Sequence, residues 1–590
     1  MGPGTYGDHN YNWREVLSWV RGAHTLKFGA NGTHAVEYGD FSPVNNFPSF
    51  TFDNLIDLVQ NTPYSEASAS GALTYNPLTG KLAPVPFDGQ ENPWGIFAQD
   101  DWKAKSNLSF TFSMRWDDMS NHTPSGPLDQ SGISGNLILG AGSTIEQQIA
   151  DATVQTLPSV FAHSMKNNWS PRVGFAWDPS KRGVWSIRGG FGVFHDWVAL
   201  GQSVDEMRGN PPGTLSESFI AGVTPVQPLF AEGTSPTYPF NYPVPTIPAG
   251  SLNAAGGLTG SPGAVWALDR NMKAPVAINY QIGLERQLPG KFVAGASYSG
   301  SRSYDGLAGI NYNRTDNNAA LIAGTGYLYP NPNFTSINYV GNIMNGSYNA
   351  AIFTLRRTVG RAFSFQTSYT LSRAMSDINA NTRFDHDGGF NVPDAALYHS
   401  YYSDANWDVR NHFSLSGVYT VPGMSSGIGK VLTSGWEVSL LSSIQSGTPF
   451  WVDTTAAYGH GGDWNADGTN YDIPNAAANY CSGSYNEQSY LIGLFPSTAF
   501  TAPAAGMEGN VQRNSCRNPG MLEVDASVLK NTAVKWLGER GSLQIRFDFE
   551  NVLNKVNLGA VDPNIADASF AKSTSQLLPR TIQVGARIAF

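Results

Sequence analysis

The residues with the clearest chemical potential lie in an acidic stretch with the D-x-N-x-D-G spacing of a calcium loop. Oxygen atoms at alternate positions can wrap a hard cation, and the glycine permits the sharp turn. The twelfth position, where such loops carry a bidentate Glu, is Pro474. The predicted calcium ligands are therefore Asp463, Asn465, Asp467 and Asp472, with Asp472 closing the loop early. Because Asp, Asn and Gly are also the ordinary residues of turns, a metal-free turn is the alternative.

Two cysteines are the whole thiol content of the chain, and they lie close together in the sequence. Cys481 and Cys516 fall in one long connection, 35 residues apart. Two cysteines cannot form a four-cysteine zinc site or a disulfide framework. In an oxidising compartment they are expected to form one disulfide that closes this connection. Two free thiols, or pairing with a partner outside this sequence, are the alternatives.

Other residue groups carry weaker signals. Asp385, His386 and Asp387 have metal-ligand types, but in a Gly-rich stretch we expect them to be solvated. Asp100 and Asp101 are adjacent on a strand, so they point to opposite faces and cannot form a catalytic pair. No nucleophile elbow, H-E-x-x-H or Walker loop occurs. The sequence therefore predicts neither an enzyme nor a cofactor other than the calcium ion.

The elements that carry these residues show a period of two almost everywhere. In Asn107–Asp117 five apolar side chains alternate with six polar ones, a pattern that a helix of period 3.6 cannot use. The segments 361–373, 541–551 and 581–590 repeat it. These segments run about 10–13 residues, whereas strands average about 5–6 and a membrane-crossing strand needs about 9–11.

Fifteen strands are predicted, joined alternately by short turns and long connections, an alternation typical of outer-membrane barrels. The strands are 11–20, 23–34, 94–104, 107–119, 170–178, 184–196, 275–287, 291–302, 347–358, 361–373, 408–420, 434–446, 521–531, 541–552 and 579–590. The long connections are 35–93, 120–169, 197–274, 303–346, 374–407, 447–520 and 553–578. The fold class is therefore all-β, an antiparallel transmembrane barrel with long extracellular loops. A propeller or a set of sandwiches is the alternative, but no fixed repeat is found.

Composition excludes several classes of protein. The 590 residues carry a formal net charge of -10 and no run of Lys or Arg, which argues against binding to nucleic acid. Aromatic residues make up 12%, too many for a disordered chain. No stretch approaches 18 uninterrupted apolar residues, so no transmembrane helix is predicted. The polar mean hydropathy of -0.25 is compatible with a barrel, in which only alternate residues face lipid.

Aromatic and basic residues suggest roles that the sequence alone does not separate. Tryptophans near strand ends are explained by an interfacial belt. The tyrosines of the long connections are candidates for ligand contact, and these are Tyr327, Tyr329, Tyr398, Tyr401 and Tyr402. The strand arginines are expected to snorkel or to pair with Asp548 or Glu550, and these are Arg172, Arg188, Arg356, Arg546 and Arg587.

Several segments resemble the C-terminal barrel of Oar-like TonB-dependent receptors of the bacterial outer membrane. The similar segments are 94–117, 169–196, 280–303, 349–377, 408–422 and 548–557. The most specific parts are FAQDDW and FENVLN. The aromatic C-terminus, Phe590 after an alternating strand, resembles the signal read by the outer-membrane β-barrel assembly machinery.

The resemblance implies a 22-strand barrel preceded by a signal peptide, a carboxypeptidase-regulatory-like domain, a TonB-contacting segment and a plug. This sequence shows none of these preceding parts, so we expect residues 1–590 to be an N-terminally truncated barrel with strands 8–22. The implied partners are outer-membrane lipid, the assembly machinery, an unknown extracellular ligand, and TonB only through the missing segments. The implied function is energy-coupled uptake of a large solute. The alternatives are a surface or adhesion protein whose barrel anchors the loops, and a passive channel.

Overall fold

Strands with alternating apolar and polar side chains pair into one large sheet. The computed structural model describes most of residues 5–40, 89–207, 262–359, 363–377, 398–453 and 463–590, and short stretches within 49–82 and 210–257. Fifteen long strands form the wall of the molecule. They are β1 Thr5–Arg21, β2 His24–Asp40, β3 Trp94–Lys105, β4 Leu108–Asp118, β5 Asn168–Trp177, β6 Trp185–His195, β7 Val276–Leu288, β8 Phe292–Asn311, β9 Phe334–Val359, β10 Phe363–Ser376, β11 Asn411–Thr420, β12 Trp436–Gln445, β13 Met521–Ala533, β14 Ser542–Glu550 and β15 Thr581–Ala589.

All fifteen predicted strands are confirmed, but several extend further than predicted. β8 continues to Asn311 and β9 begins at Phe334, so half of the predicted connection 303–346 is strand. The predicted boundary was wrong because these extensions pair with each other beyond the alternating segment. A short strand, Gly263–Leu268, pairs in parallel with β9 in the same region. With Gly89–Glu91 beside β2 and Ser403–Asp404 beside β10, the sheet contains 18 described strands.

The remaining elements are small. Short strands form separate two- or three-stranded sheets: Gly135–Ile138 with Thr153–Thr156, Ser65–Ala67 with Ser49–Thr51 and Ser218–Ile220, Tyr75–Asn76 with Lys81–Leu82, Pro449–Phe450 with Cys516–Arg517, and Asn475–Ala476 with Phe500–Thr501. The helices are α1 Leu55–Gln60, α2 Ile145–Ala150, α3 Leu200–Met207, α4 Ala319–Ile322, α5 Gly427–Thr433 and α6 Glu487–Ile492. Single 3₁₀ turns occupy Pro289–Lys291, Tyr398–Tyr401 and Ser497–Ala499. None of the helices in the described part of the chain has the length and hydropathy that crossing a bilayer requires.

The strand register separates the side chains into two continuous faces. One row crosses neighbouring strands through polar or small residues, for example Ser113, Arg172, Gly192, Asn279 and Ser301. The adjacent row contains Phe112, Val173 and Phe191, which are 46%, 43% and 44% exposed. The period of two in the sequence therefore becomes one polar wall surface and one exposed apolar surface.

The sheet is open between its first and last strands. Within the described residues β1 pairs only with β2, and β15 pairs only with β14. Fourteen successive antiparallel pairings separate these two edge strands, so both run in the same direction. If β1 and β15 paired directly with each other, that pairing would be parallel. Phe590, the predicted assembly signal, follows β15 and is 92% exposed.

The hydrophobic core lies in the long connections and in the extensions by which β8 and β9 exceed their predicted bounds. A cluster of buried residues draws on most of these connections, and we call the part of the molecule that it holds together the cap. Its members include Leu137, Ile149, Val265, Ile310, Phe334, Ile337, Tyr401, Val452, Ile473, Phe500, Val511, Ile565 and Phe570. A second cluster, with Phe161, Val198, Met207 and Leu268 among its members, lies in the connections between β4 and β7 and packs on Val340 of β9. Chain segments far apart in sequence thus share one interior.

Candidate functional site

The acidic loop predicted to bind calcium lies in the cap, between β12 and β13. The carboxylate of Asp463 is buried and accepts hydrogen bonds from the backbone N–H groups of Asp467 and Gly468, both at 2.9 Å. Gly468 has a φ of 91°, in the left-handed region that favours glycine. The carboxylate of Asp463 therefore holds the turn of the loop through backbone hydrogen bonds.

Asp472, at the end of the loop, bonds back to the backbone near the start of the loop. Its Oδ2 accepts hydrogen bonds from the backbone N–H of Asn465, at 2.9 Å, and from that of Trp464. Asp472 and Asn465 are fully buried. Burial, together with repulsion from Asp463 and Asp467, raises the pKa of Asp472 to about 7. The structure thus concentrates three carboxyl groups in one buried turn.

One arginine offsets part of this negative charge. Arg314, from the connection between β8 and β9, places Nη1 3.1 Å from Oδ2 of Asp467 and 2.9 Å from Oγ1 of Thr469. Its side chain is 6% exposed. Sequence reasoning missed this residue, because it is 155 positions from Thr469.

The loop is also held by backbone contacts from the connection between β8 and β9. Asn317 donates its N–H to the carbonyl of Asn465 at 2.6 Å, and Asn318 donates to that of Ala466 at 3.0 Å. The hydroxyl of Tyr327 donates to the carbonyl of Asp467 at 2.7 Å. Burial raises the pKa of Tyr327 to about 12. The loop therefore joins two connections of the cap.

Within the described residues, no group of three or more His, Cys, Asp or Glu side chains converges as a metal ion would require. Backbone N–H groups and Arg314 already occupy oxygens of Asp463, Asp467 and Asp472. A metal-free, hydrogen-bonded turn accounts for these contacts. Calcium binding by the four predicted ligands stays a prediction. The Asp385–Asp387 group lies outside the described residues.

The candidate ligand tyrosines occupy different environments. Tyr401 is buried in the cap, with its ring centroid 6.0 Å from that of Trp451. Tyr402 is 41% exposed, and its hydroxyl lies 3.0 Å from Oγ of Ser347. Tyr329 lies beside Tyr327, with ring centroids 4.8 Å apart. The side chain of Tyr398 lies outside the described residues. Tyr402 is the most exposed of the four tyrosines whose side chains are described. Ligand contact stays a prediction for the whole set.

Cys481 and Cys516 form a disulfide with a Cα–Cα distance of 5.2 Å. Cys516 is 1% exposed and lies in the short strand that pairs with Pro449–Phe450. The bond therefore joins the middle of the connection between β12 and β13 to its end. This linkage restricts the connection that also carries the acidic loop.

A network of ion pairs follows the disulfide at the base of the cap. Nη2 of Arg517 lies 2.6 Å from a carboxylate oxygen of both Asp404 and Asp408. Arg410 lies 2.8 Å from Asp404, and Arg373 lies 2.7 Å from it. Burial opposes ionisation of Asp404, but the arginines outweigh it and hold the pKa of this carboxyl below its usual value. The network ties β10 and the segment just before β11 to the connection that precedes β13.

Asp100 and Asp101 point to opposite faces of β3, as predicted. Oδ2 of Asp101 lies 3.0 Å from Nζ of Lys27 on the polar face. Oδ2 of Asp100 lies 2.8 Å from Nδ1 of His24, whose ring stacks on Trp102. The two carboxylates therefore have separate partners and do not form an acid–base pair.

Strand arginines pair within the wall or stack on aromatic rings. Arg546 lies 2.7 Å from Asp548, the partner predicted for it. Arg356 lies 3.3 Å from Glu285, and the guanidinium of Arg172 stacks 4.4 Å from the ring centroid of Phe194. Arg546 therefore has the partner expected from the sequence, whereas Arg356 pairs with Glu285 and Arg172 stacks on an aromatic ring, and neither of these contacts was predicted.

A buried hydrogen-bonded chain in the second core cluster was not predicted. Nδ1 of His122 lies 2.6 Å from Oγ of Ser203, and Nε2 lies 3.1 Å from the carbonyl oxygen of Val198 and also 3.1 Å from Oε2 of Glu91. Trp197 donates to the same Glu91 oxygen at 3.0 Å. His122, Ser203 and Glu91 are at most 1% exposed, so no substrate can reach the serine. The chain fixes three connections together, and its residues are too far apart in sequence to be recognised from spacing.

The two faces and the long antiparallel strands define the wall of a membrane β-barrel, polar inside and apolar outside. The chain belongs to the family described as the outer membrane beta barrel domain, whose model matches residues 1–583. It is therefore an outer-membrane protein.

Three solved structures to which this chain is similar are proteins of the bacterial outer membrane. The outer membrane transporter YddB from Escherichia coli is 12% identical, with a TM-score of 0.51 over 98% of this chain and 53% of that chain. The FrpB iron transporter from Neisseria meningitidis is 10% identical, with a TM-score of 0.42 over 98% and 54%. The ferripyoverdine receptor of the outer membrane of Pseudomonas aeruginosa is 10% identical, with a TM-score of 0.41 over 99% and 48%.

At these identities the likeness shows the fold alone. This chain spans about half the length of each of those proteins. No curated protein matches it.

Proposed function

We propose that this chain is the main part of the barrel of a TonB-dependent transporter of the Oar-like type, which takes up a large solute through the outer membrane. The observation that carries the proposal is the polar face that crosses neighbouring strands of the wall beneath a packed cap. A polar inner surface suits a path for a hydrophilic solute, and connections held on a rigid wall suit binding. The fold of the transporter YddB supports the same class.

The geometry of the open sheet supports the proposal that other strands complete the barrel. Each unpaired edge in lipid leaves backbone groups that cost several kcal/mol apiece. Because β1 and β15 run in the same direction, an antiparallel segment that bridges them must contribute an odd number of strands. A plug and a TonB-contacting segment, which gate uptake in such transporters, would also be contributed by parts outside this sequence.

Amide hydrogen exchange in native outer membranes tests this completion. We expect the amides of β15 that point away from β14 to be protected as strongly as those of β13. Rapid exchange confined to the outer edges of β1 and β15 would contradict the proposal, because it would show that both edges remain unpaired.

The transport function is tested by comparing two deletion strains, one lacking this protein and one lacking TonB. We expect both strains to lose accumulation of the same compound from a radiolabelled panel of ferric chelates, cobalamin and oligosaccharides. A mutant defective in TonB should show no further loss when this protein is also removed. Accumulation that depends on this protein and not on TonB would indicate a passive channel and contradict the proposal.

A surface protein is the second candidate, and the cap is the observation that favours it. The described connections bury a hydrophobic core of their own, so they form an ordered surface and not separate flexible loops. If the deletion strain accumulates every compound normally but loses adhesion to surfaces, the barrel is an anchor. That result would overturn the transport proposal.

A further inference from the structure

One turn at the short-turn end of the wall contains a helix with an exposed apolar face. Helix α5 lies between β11 and β12. Ile428, Val431 and Leu432 follow the i, i+3, i+4 spacing that places side chains on one face of a helix. They are 80%, 54% and 64% exposed, and Met424 just before the helix is 60% exposed. Four large apolar side chains therefore face outward from one turn.

The other described turns at this end are shorter or polar. Gly22 and Ala23 alone join β1 to β2. The turn from β5 to β6 is organised by Asp178, which accepts hydrogen bonds from the N–H groups of Ser180 and Gly183 at 2.9 and 2.7 Å. A reversal of chain direction thus needs no apolar helix, and α5 requires another explanation.

The helix is fixed to the wall at its C-terminal end. Nζ of Lys530, on β13, donates to the carbonyls of Val431 and Leu432 at 2.7 and 3.3 Å. Nε1 of Trp436, on β12, donates to the carbonyl of Leu432 at 2.7 Å. These donors satisfy terminal carbonyls, and the ammonium group complements the negative end of the helix dipole.

The segment before the helix is fastened as well. The hydroxyl of Thr433 donates to the carbonyl of Gly429 at 2.6 Å and accepts from the N–H of Met424 at 2.9 Å. Ser434 donates its hydroxyl to the carbonyl of Met424 at 3.2 Å. The apolar side chains are therefore held outward by a closed set of hydrogen bonds.

The apolar face of α5 continues the lipid-facing surface of the wall. Trp436 and Lys530 are paired across β12 and β13. By the alternation of β12, Trp436 shares a face with Val438 and Leu440, which are each 37% exposed. A Trp at the end of such a face is typical of the membrane interface. The C-terminal end of the helix therefore meets the wall at the edge of its apolar surface.

We infer that α5 is an interfacial helix that inserts Ile428, Val431 and Leu432 into the phospholipid leaflet at the short-turn end of the barrel. Helices of this kind bury their apolar face about 5–10 Å into the boundary between headgroups and acyl chains. Lys430 is exposed on the same helix and can pair with a lipid phosphate. The occupant of this surface is membrane lipid, because the surface is continuous with the wall that already contacts lipid. The inference depends on the membrane location of the wall and not on what is transported.

Fluorescence quenching tests the insertion. The full chain with Ile428→Cys is labelled with the fluorophore NBD and reconstituted in vesicles of phosphatidylethanolamine and phosphatidylglycerol. The control carries the label at Lys181→Cys, in the polar turn between β5 and β6. The native cysteines are joined in the disulfide and do not take up label.

For a helix at this depth we expect lipid-attached nitroxide to quench the label at position 428 about threefold more strongly than the label at 181, and aqueous iodide to quench it about threefold less. Equal iodide quenching at the two positions would overturn the inference, because the face would be in water. Protection of position 428 from both quenchers would also overturn it, because protein would then cover the face.

A second variant separates the insertion of the helix from its anchoring. Lys530→Gln removes the ammonium group that holds the last carbonyls of α5, so iodide quenching at position 428 should rise about twofold. Lys105→Gln, at another turn of the wall, is the matched control and should leave quenching unchanged. An equal effect of both substitutions would contradict the anchoring role of Lys530.

Discussion

The wall and the cap of this molecule use apolar residues in opposite ways, and strand β9 passes through both. At its cap end Phe334 is 1% exposed in the main core cluster. At its wall end Phe353 is 51% exposed on the outer surface. The same type of side chain is thus buried by protein in one region and left for lipid in the other.

The difference follows from the surroundings of each region. In water, apolar surface must be covered by other apolar surface, so the cap packs distant segments around one interior. In lipid, backbone N–H and C=O groups must hydrogen-bond to each other, whereas apolar side chains can face the lipid directly. The wall is therefore held by strand pairing in a fixed register, without a hydrophobic core. Removing an apolar side chain from the cap should therefore loosen the cap locally. Removing one from the outer surface of the wall should leave the strand register intact.

The largest expected effect comes from truncating the cap core. Phe334→Ala should destabilise the cap by about 3–5 kcal/mol, because it removes a large side chain from a packed interior. Amide hydrogen exchange of cap residues in the reconstituted protein measures this opening. Phe353→Ala, on the same strand, is the control and should leave cap exchange unchanged. If both substitutions increased amide exchange in the cap equally, the contrast between wall and cap would be wrong.

The disulfide should contribute the next largest effect. Replacing both cysteines, Cys481→Ser with Cys516→Ser, should cost the cap about 3–4 kcal/mol, as expected for releasing a closed segment of this length. The same exchange measurement should locate the loss in the connection between β12 and β13. Alkylation of the native protein without reductant is the check on the bond itself, and labelling of both thiols would contradict it.

A buried carboxyl group should make the stability of the cap depend on pH. Burial, with repulsion from Asp562 and Asp567, raises the pKa of Asp453 to about 6. Because the folded cap holds this proton more tightly than the unfolded chain, its free energy of unfolding should fall as pH rises from about 4 to about 6, by about 1–3 kcal/mol. Above that window this contribution should be constant.

Asp453→Asn should make the fall in cap stability between pH 4 and 6 shallower, as measured by cap exchange, and should leave the contribution of Asp472, whose pKa is about 7. Asp151→Asn is the control, because Asp151 is an exposed residue of the cap. An unchanged slope between pH 4 and 6 in Asp453→Asn would contradict the prediction, because it would show that Asp453 contributes nothing to the pH dependence.

Calcium binding to the acidic loop should give the smallest effect. Calcium at tenfold above a dissociation constant in the millimolar range should stabilise the cap by about 1.4 kcal/mol. Isothermal calorimetry on the purified protein measures the binding. Asp472→Asn should abolish the heat and Asp151→Asn should not. Absence of calcium-dependent heat in the native protein would favour the metal-free turn.

The wall could be predicted from the sequence because its determinants are local. Alternation in a segment such as Asn107–Asp117 specifies both the strand and the side chains on each face, without knowledge of distant partners. The acidic loop is a similar case, because Asp463 bonds with residues four and five positions away. The prediction failed at the cap ends of β8 and β9, where pairing with each other extends the strands.

The cap could not be predicted, because its contacts join residues that are far apart in the chain. Arg314 reaches the acidic loop across 155 positions, and His122 reaches Ser203 across 81. The position of helix α5 could not be predicted either, because it is held by a hydrogen bond from Lys530, which is 99 positions from Val431. The sequence by itself therefore determined the period, the two faces and the alternation of short and long connections, because each depends on neighbouring residues. Only the tertiary structure decided which buried polar groups meet, because water drives distant segments together without leaving a regular spacing in the chain.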